Sequence, residues 1–220
     1  MNNEHRAWKD EVYGHMARMG KALSSPRRLE ILDLLAQGPK SVEQLAGELE
    51  ASVANTSQHL NQLKSARLVR SHKQGTYVIY ELAGPAVDRL LESVEETGEA
   101  LLLELGSARQ HYFSDPVDQN PVPLRELQSL MAANAIYLID VRPAAEYAAQ
   151  HLPGAVSVPL PTLAEHFRAW PTDQPVVAYC RGRYCLYARD AVRYLHQQGV
   201  AVRRTEASVR DWPPAAGTTG

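Results

Sequence analysis

The sequence predicts two domains: a mainly α unit with one hairpin, then an α/β unit with a small parallel sheet. Three observations predict this. The chain has 220 residues, a length that suits two cores of about 100 residues each better than one. Apolar residues recur at helical spacing in the first half, whereas short apolar runs alternate with helical stretches in the second. Between the halves, residues 114–123 hold Asp115, Pro116, Asn120, Pro121 and Pro123, which interrupt all periodicity and read as a linker. The expected organisation is 1–113, linker 114–123, 124–212, and a flexible tail at 213–220.

In the first half, Leu29, Ile31, Leu32, Leu34 and Leu35 form one helix, opened by Ser24, Ser25 and Pro26 and closed by Gly38 and Pro39. Ser41 with Gln44 has the form of a capping box, and Val42, Leu45, Ala46 and Leu49 follow on one face. After a turn at Glu50 to Ser52, Val53 to Ala66 reads as a third helix with Val53, Leu60 and Leu63 inward and its other positions polar. Leu68 to Arg70 and Tyr77 to Tyr80 have strand character on either side of Lys73, Gln74 and Gly75, which is hairpin chemistry. From Pro85 to about Tyr112 one long helix is expected, too apolar at Val87, Leu90, Leu91, Val94 and Leu101 to Leu105 to stand without a partner. In the second half the strand candidates are Ile136–Val141, Ala155–Val158, Val176–Tyr179 and Val200–Val202, with helical stretches around Glu146, Leu163 and Ala191.

Composition narrows the function classes. With 45% hydrophobic and 22% charged residues the chain can bury proper cores. No stretch approaches the roughly 18 apolar residues needed to span a bilayer, and the N-terminus is polar, so a cytoplasmic protein without membrane contact is expected. Two cysteines, Cys180 and Cys185, are too few for a disulfide framework, so their role is read as chemical. Net charge is −2, but it is segregated. Ala51 to Tyr80 contains no Asp or Glu and carries Lys64, Arg67, Arg70 and Lys73, a segment suited to phosphates; Glu81 to Glu104 is acidic throughout.

A helix, a turn, a polar helix and a basic hairpin form the arrangement in which one helix enters the major groove while a wing touches the backbone. Asn55, Thr56, Ser57, Gln58 and His59 are the candidates for base edges, and Lys64, Arg70 and Lys73 for phosphates. A solvated helix face is the plain alternative for an isolated polar helix; the acid-free run and the order of elements favour DNA. Leu23-Ser24-Ser25-Pro26-Arg27-Arg28-Leu29-Glu30-Ile31-Leu32 and Ala51-Ser52-Val53-Ala54-Asn55-Thr56-Ser57-Gln58-His59-Leu60 resemble the ArsR-type winged helix-turn-helix regulators over roughly residues 15–105. The resemblance implies a homodimer paired through its terminal helices, bound to an inverted-repeat operator in double-stranded DNA and released by an inducer. The metal sites common in that family are not expected: Val42 to Leu49 has no Cys, and the last long helix has no His before His111. Asp88 with Glu92 is read as a solvated acidic face rather than a ligand pair.

Cys180 follows a buried strand and precedes a helix starting near Leu186, so Arg181, Gly182, Arg183, Tyr184 and Cys185 form a tight turn at a helix N-terminus. Inward amides, the helix dipole and an inward arginine there would favour a thiolate, a persulfide or an oxyanion. The plain alternative is two small apolar cysteines in a structural loop. Over residues 124–212, Asp140-Val141-Arg142, Glu146-Tyr147, His151-Leu152-Pro153-Gly154-Ala155 and Val177-Ala178-Tyr179-Cys180-Arg181-Gly182 resemble the rhodanese domain. That resemblance implies that Cys180 attacks a sulfane sulfur donor and carries a persulfide to a thiol or cyanide, with Asp140 and Arg142 as supporting motif residues. The sequence departs from the family at Cys185, where Arg, Ser or Thr is common, and at Ala207 and Ser208, where a glycine pair precedes the final tryptophan. A second thiol could expel sulfide from a persulfide on Cys180 and leave a disulfide. His151 and His166 receive no catalytic role.

Three readings stay open: a repressor that senses reactive sulfur or redox state through Cys180 and Cys185 with a small sulfur donor or thiol as partner, an active sulfurtransferase fused to a DNA-binding domain, and a regulator responding to an oxyanion or arsenite. No cofactor and no metal site is expected.

Overall fold

The computed structural model describes residues 3–170 and 174–212; the tail expected at 213–220 lies outside them. The chain divides into two compact units, residues 1–100 and 101–220.

The first unit opens with α1 (Asn3–Leu23), α2 (Pro26–Ala36), the short strand β1 (Lys40–Ser41), α3 (Val42–Glu48) and α4 (Val53–Ser65). The capping box at α3 forms as its residues require: Ser41 Oγ accepts from the Gln44 amide at 3.3 Å and Gln44 Oε1 accepts from the Ser41 amide at 2.8 Å. Ile31, Leu32, Leu45, Leu60, Leu63 and Leu68 are fully buried in one core that welds α2, α3 and α4 together. The buried Arg28 completes that weld, its guanidinium donating to the carbonyls of Lys21 and Ala22 and to Gln62 Oε1 on α4. Strands β2 (Val69–Gln74) and β3 (Tyr77–Leu82) pair antiparallel with Gln74 opposite Tyr77, so Gly75 and Thr76 form the tip, and Gly75 takes the φ of +62° that a tight hairpin turn requires. β1 adds to β3, giving the sheet order β1-β3-β2.

Three expectations change in this half. α1 was not anticipated. Val53, expected inward, is 45% exposed, because it is the first residue of α4 and the core ends a turn further on, at Thr56. The helix expected over 85–112 is two helices, α5 (Pro85–Leu101) and α6 (Leu103–Tyr112), separated where Leu102 leaves the helical region at φ −105°, ψ 101°.

The second unit is built on a four-stranded parallel sheet of order β5-β4-β6-β7, with β4 (Tyr137–Asp140), β5 (Val156–Ser157), β6 (Val176–Tyr179) and β7 (Val202–Arg204). Besides α6, which falls within this unit, the helices are α7 (Leu124–Ala132), α8 (Ala144–Ala149), the short α9 (Leu163–His166) and α10 (Tyr187–Gln197). Side chains of β6 alternate between two cores: Val176, Ala178 and Cys180 join Ala188, Val192 and Leu195 of α10, while Val177 and Tyr179 join Leu127 and Leu152 on the other face. Residues 114–123, read from sequence as a linker, are packed into this unit. Asp118 is fully buried and bound by Arg193 at 2.6 Å, and Val122 bridges to Thr205. Prolines that break helical periodicity serve equally well in a packed extended segment.

Candidate functional sites

In the first unit, α4 buries Leu60 and Leu63 and turns its polar residues outward. Asn55 and Gln58 are exposed and Ser57 and His59 half-buried. Thr56 is fully buried and its hydroxyl donates to the Ser52 carbonyl at 3.1 Å, so it fastens the first turn instead of facing outward. Of the basic candidates, Lys64 Nζ donates to Ser71 Oγ at 2.7 Å, which ties the helix to the wing, and Lys73 is exposed near the wing tip. The Arg70 guanidinium meets Glu81 on the neighbouring strand at 2.9 Å, and His72 lies 3.7 Å from the same oxygen. Arg70 therefore has its charge partly offset across the hairpin, and Lys64, Arg67, Arg70 and Lys73 are all exposed.

In the second unit, Cys180 stands at the carboxyl end of β6, the end of an open parallel sheet at which ligands generally bind. Its side chain packs in the apolar layer beneath α10 and is 1% exposed, and its Sγ donates to the Cys185 carbonyl at 3.4 Å. Cys185 is half-buried, and both thiols are free. The two thiols lie close enough for each to shift the other's titration. Burial, and then the hydrogen bond to Cys185, push the Cys180 thiol well up. The proton offered by Cys180 is the largest influence holding the Cys185 thiol down, aided by the Arg181 and Tyr187 amides and the nearby Arg181 charge. Of the two, Cys185 is the thiol shifted toward its thiolate form, whereas the sequence pointed to a lowered Cys180.

The arginine expected to face a bound anion is engaged elsewhere. Arg181 meets the buried Glu146 carboxylate through Nε at 3.0 and 3.1 Å and through Nη2 at 2.5 Å, and lies over the Tyr187 ring at 5.3 Å. Beneath it, Asp140 and Arg142, both 0% exposed, form a second pair through Nη2 to Oδ2 at 2.6 Å and Nε to Oδ1 at 3.0 Å. Burial works against the charge on Arg142, but the hydrogen bonds and charge of Asp140 outweigh it and the guanidinium is held more firmly protonated. The Tyr179 hydroxyl donates to Asp140 at 2.6 Å and accepts from the Leu152 amide at 3.0 Å; burial and that carboxylate keep the phenol protonated. Two acids and two arginines so compensate one another beneath the loop. Sequence reasoning placed Asp140, Arg142 and Glu146 in motifs, but nothing in the sequence signals that Glu146 captures Arg181 from 35 residues away.

Gly182 adopts φ +111°, in the region that favours glycine, and a Cβ there would lie 3.6 Å from Ser208 Cβ. Arg183 is half-buried and Tyr184 exposed at the loop's crest. His151 is structural, its ring stacked on Tyr147 at 4.0 Å and its Nδ1 2.8 Å from the Tyr147 carbonyl. Among the described residues, no group of three or more His, Cys, Asp or Glu side chains is gathered to hold a metal ion, and no helix is long and apolar enough to cross a membrane.

Comparison with known proteins gives matches to both units. The family model of bacterial regulatory proteins of the arsR family matches residues 25–71, and that of the rhodanese-like domain matches residues 124–213. The HTH-type transcriptional regulator Rv0324 of Mycobacterium tuberculosis is 38% identical over 204 residues, covering 93% of this chain and 89% of that protein. The transcriptional repressor SdpR of Bacillus subtilis is 37% identical over 67 residues, 30% of this chain and 74% of that one. Among solved structures, a homodimeric winged helix-turn-helix DNA-binding domain of Mycobacterium bovis is 40% identical with a TM-score of 0.42, covering 43% of this chain and 87% of that chain. The chain belongs to the ArsR family of DNA-binding transcriptional regulators, with a rhodanese-like domain in its second unit.

Proposed function

We propose that the protein is a cytoplasmic homodimeric repressor whose affinity for an inverted-repeat operator is set by reactive sulfur at Cys180 and Cys185. The observation that carries this reading is the gathering of two free cysteines in the loop at the carboxyl end of β6, with Cys180 Sγ donating to the Cys185 carbonyl at 3.4 Å. Cys185, the more readily ionised of the two thiols, takes the Cys180 proton as Cys180 attacks the outer sulfur of a persulfide donor R–S–SH, releasing R–SH and leaving Cys180 as a persulfide. Cys185 then attacks the Cys180 Sγ, the terminal sulfur leaves as hydrogen sulfide, and a Cys180–Cys185 disulfide remains. The sum is R–S–SH plus two thiols giving R–SH, hydrogen sulfide and one disulfide. Capture of Arg181 by Glu146 leaves less positive charge for an oxyanion and favours sulfur chemistry over oxyanion binding.

Two features support the dimer and the coupling. α1 exposes Trp8, Tyr13 and Met16, an apolar surface that a second copy would cover. α6 is part of the sulfur-bearing unit and is fastened within it, since Arg109 meets Glu206 at 2.8 Å and Arg189, just beyond the cysteine loop, donates to the Tyr112 carbonyl at 3.2 Å. Glu206 also lies against Gly182, whose added Cβ would sit 3.7 Å from the Glu206 carbonyl. A change in loop shape therefore has a direct route to the helix that follows α5 in the chain. The test is the response of operator binding to polysulfide in the wild type and in the variant with both Cys180→Ser and Cys185→Ser. Loss of response in the variant supports the reading. An unchanged response overturns it, and steady-state sulfur transfer without any effect on DNA would favour a sulfurtransferase.

A further inference from the structure

We infer that Val53 is a base-reading residue that recognises the C5-methyl group of thymine in each operator half-site. This rests on the DNA-binding function of the first unit and is independent of the cysteines. Val53 is the first residue of α4, directly after its N-cap Ser52, and is 45% exposed. Burial in the core does not account for it, because Val53 lies outside the buried core of the unit. Local preference does not account for it either, since a β-branched side chain is a weaker helix former than the straight-chain residues available for an exposed position.

The surroundings identify the occupant. Val53 lies on the leading turn of the helix whose N-terminal residues approach base edges in this type of domain. One turn further, Ser57 continues its flank, while Asn55 and Gln58 stand exposed on the other side of the helix. The whole segment from Ala51 to Tyr80 lacks acids and carries Lys64 and Lys73, which complements a phosphate-lined groove. In the major groove the apolar feature a valine can meet is the thymine methyl, which is absent from every other base.

The test uses the full-length protein and a duplex carrying its upstream operator, located by footprinting. Each thymine of a half-site is replaced in turn by deoxyuridine, which removes only the methyl group. Wild-type protein is expected to lose about three- to fivefold in affinity at one thymine, the scale of burying one methyl group, and roughly the square of that when both half-sites are changed. Val53→Ala is expected to bind the thymine and uracil duplexes alike, with its salt dependence unchanged because no phosphate contact is lost. If wild type binds the operator but shows no uracil-sensitive position, or if Val53→Ala keeps the full discrimination, the inference is overturned while DNA binding stands. If wild type binds no DNA, the underlying reading fails instead.

Discussion

Replacing Asp140 by Asn should destabilise the second unit more than most single substitutions in this protein. The carboxylate is fully buried and accepts from Arg142 Nε and Nη2, from the Arg142 amide at 3.0 Å and from the Tyr179 hydroxyl at 2.6 Å. Asparagine keeps the shape but removes the charge and turns an amide nitrogen with its two protons toward donors. The Arg142 guanidinium is then left with the Gln150 carbonyl at 2.7 Å and a Glu146 oxygen at 4.0 Å, a carboxylate already committed to Arg181. Removing one partner of a buried ion pair costs about 3–5 kcal/mol, against a total of about 5–15 kcal/mol for a domain. With a urea slope of about 1.5 kcal/mol/M for a unit of this size, the midpoint should fall by about 2–3 M. Trp170 and Trp212 report on this unit and Trp8 on the other, so fluorescence in a Trp8→Phe background isolates the relevant transition. Adding Arg142→Met to Asp140→Asn should recover much of the loss by removing the stranded charge. A midpoint shift below about 0.5 M for Asp140→Asn, or no recovery in the double variant, would refute the view that these groups act as a compensated set.

Gly182→Ala should lower stability by about 1–2 kcal/mol through its φ of +111°, with little from crowding, because the added Cβ meets its neighbours at ordinary distances; thermal unfolding of the second unit measures it. Iodoacetamide should alkylate Cys185 before Cys180 near neutral pH. With its pKa lowered, Cys185 is a thiolate at pH values where an ordinary thiol is not, whereas Cys180, pushed up, should stay protected until pH exceeds the ordinary thiol range; peptide mass spectrometry across a pH series decides the order. Lys73→Ala should weaken operator binding evenly across sequences and reduce the slope of log K against log salt by about 1, measured by fluorescence anisotropy. Arg70→Ala should change that slope less, because Glu81 already holds Arg70 at 2.9 Å.

What the sequence made legible was local. The capping box at Ser41 and Gln44, the apolar spacing of Leu60 and Leu63 and the turn at Gly75 each follow from residues within one turn of each other, and each formed as expected. The parallel strands were readable for the same reason, as apolar runs of strand length between helices. Tertiary context decided the rest. Helical periodicity placed Val53 inward although the core ends a turn further on, and polarity placed Thr56 outward although its spacing from Leu60 and Leu63 puts it on the buried face. The break at Leu102 lies among leucines with good helix propensity and has no glycine or proline to announce it. The charge environment of Cys180 was not legible either. A loop with two arginines looks anion-seeking until Glu146 is seen to hold Arg181 and Cys185 to share the Cys180 proton.

The central claim, that sulfur chemistry at the cysteine pair controls DNA binding, is tested most directly by measuring operator affinity of the reduced and polysulfide-treated protein while weighing the peptide that spans Cys180 and Cys185. The account predicts that affinity falls as the peptide loses two hydrogens or gains one sulfur, and that a reductant reverses both changes together. Complete modification of the peptide with unaltered operator affinity would contradict it.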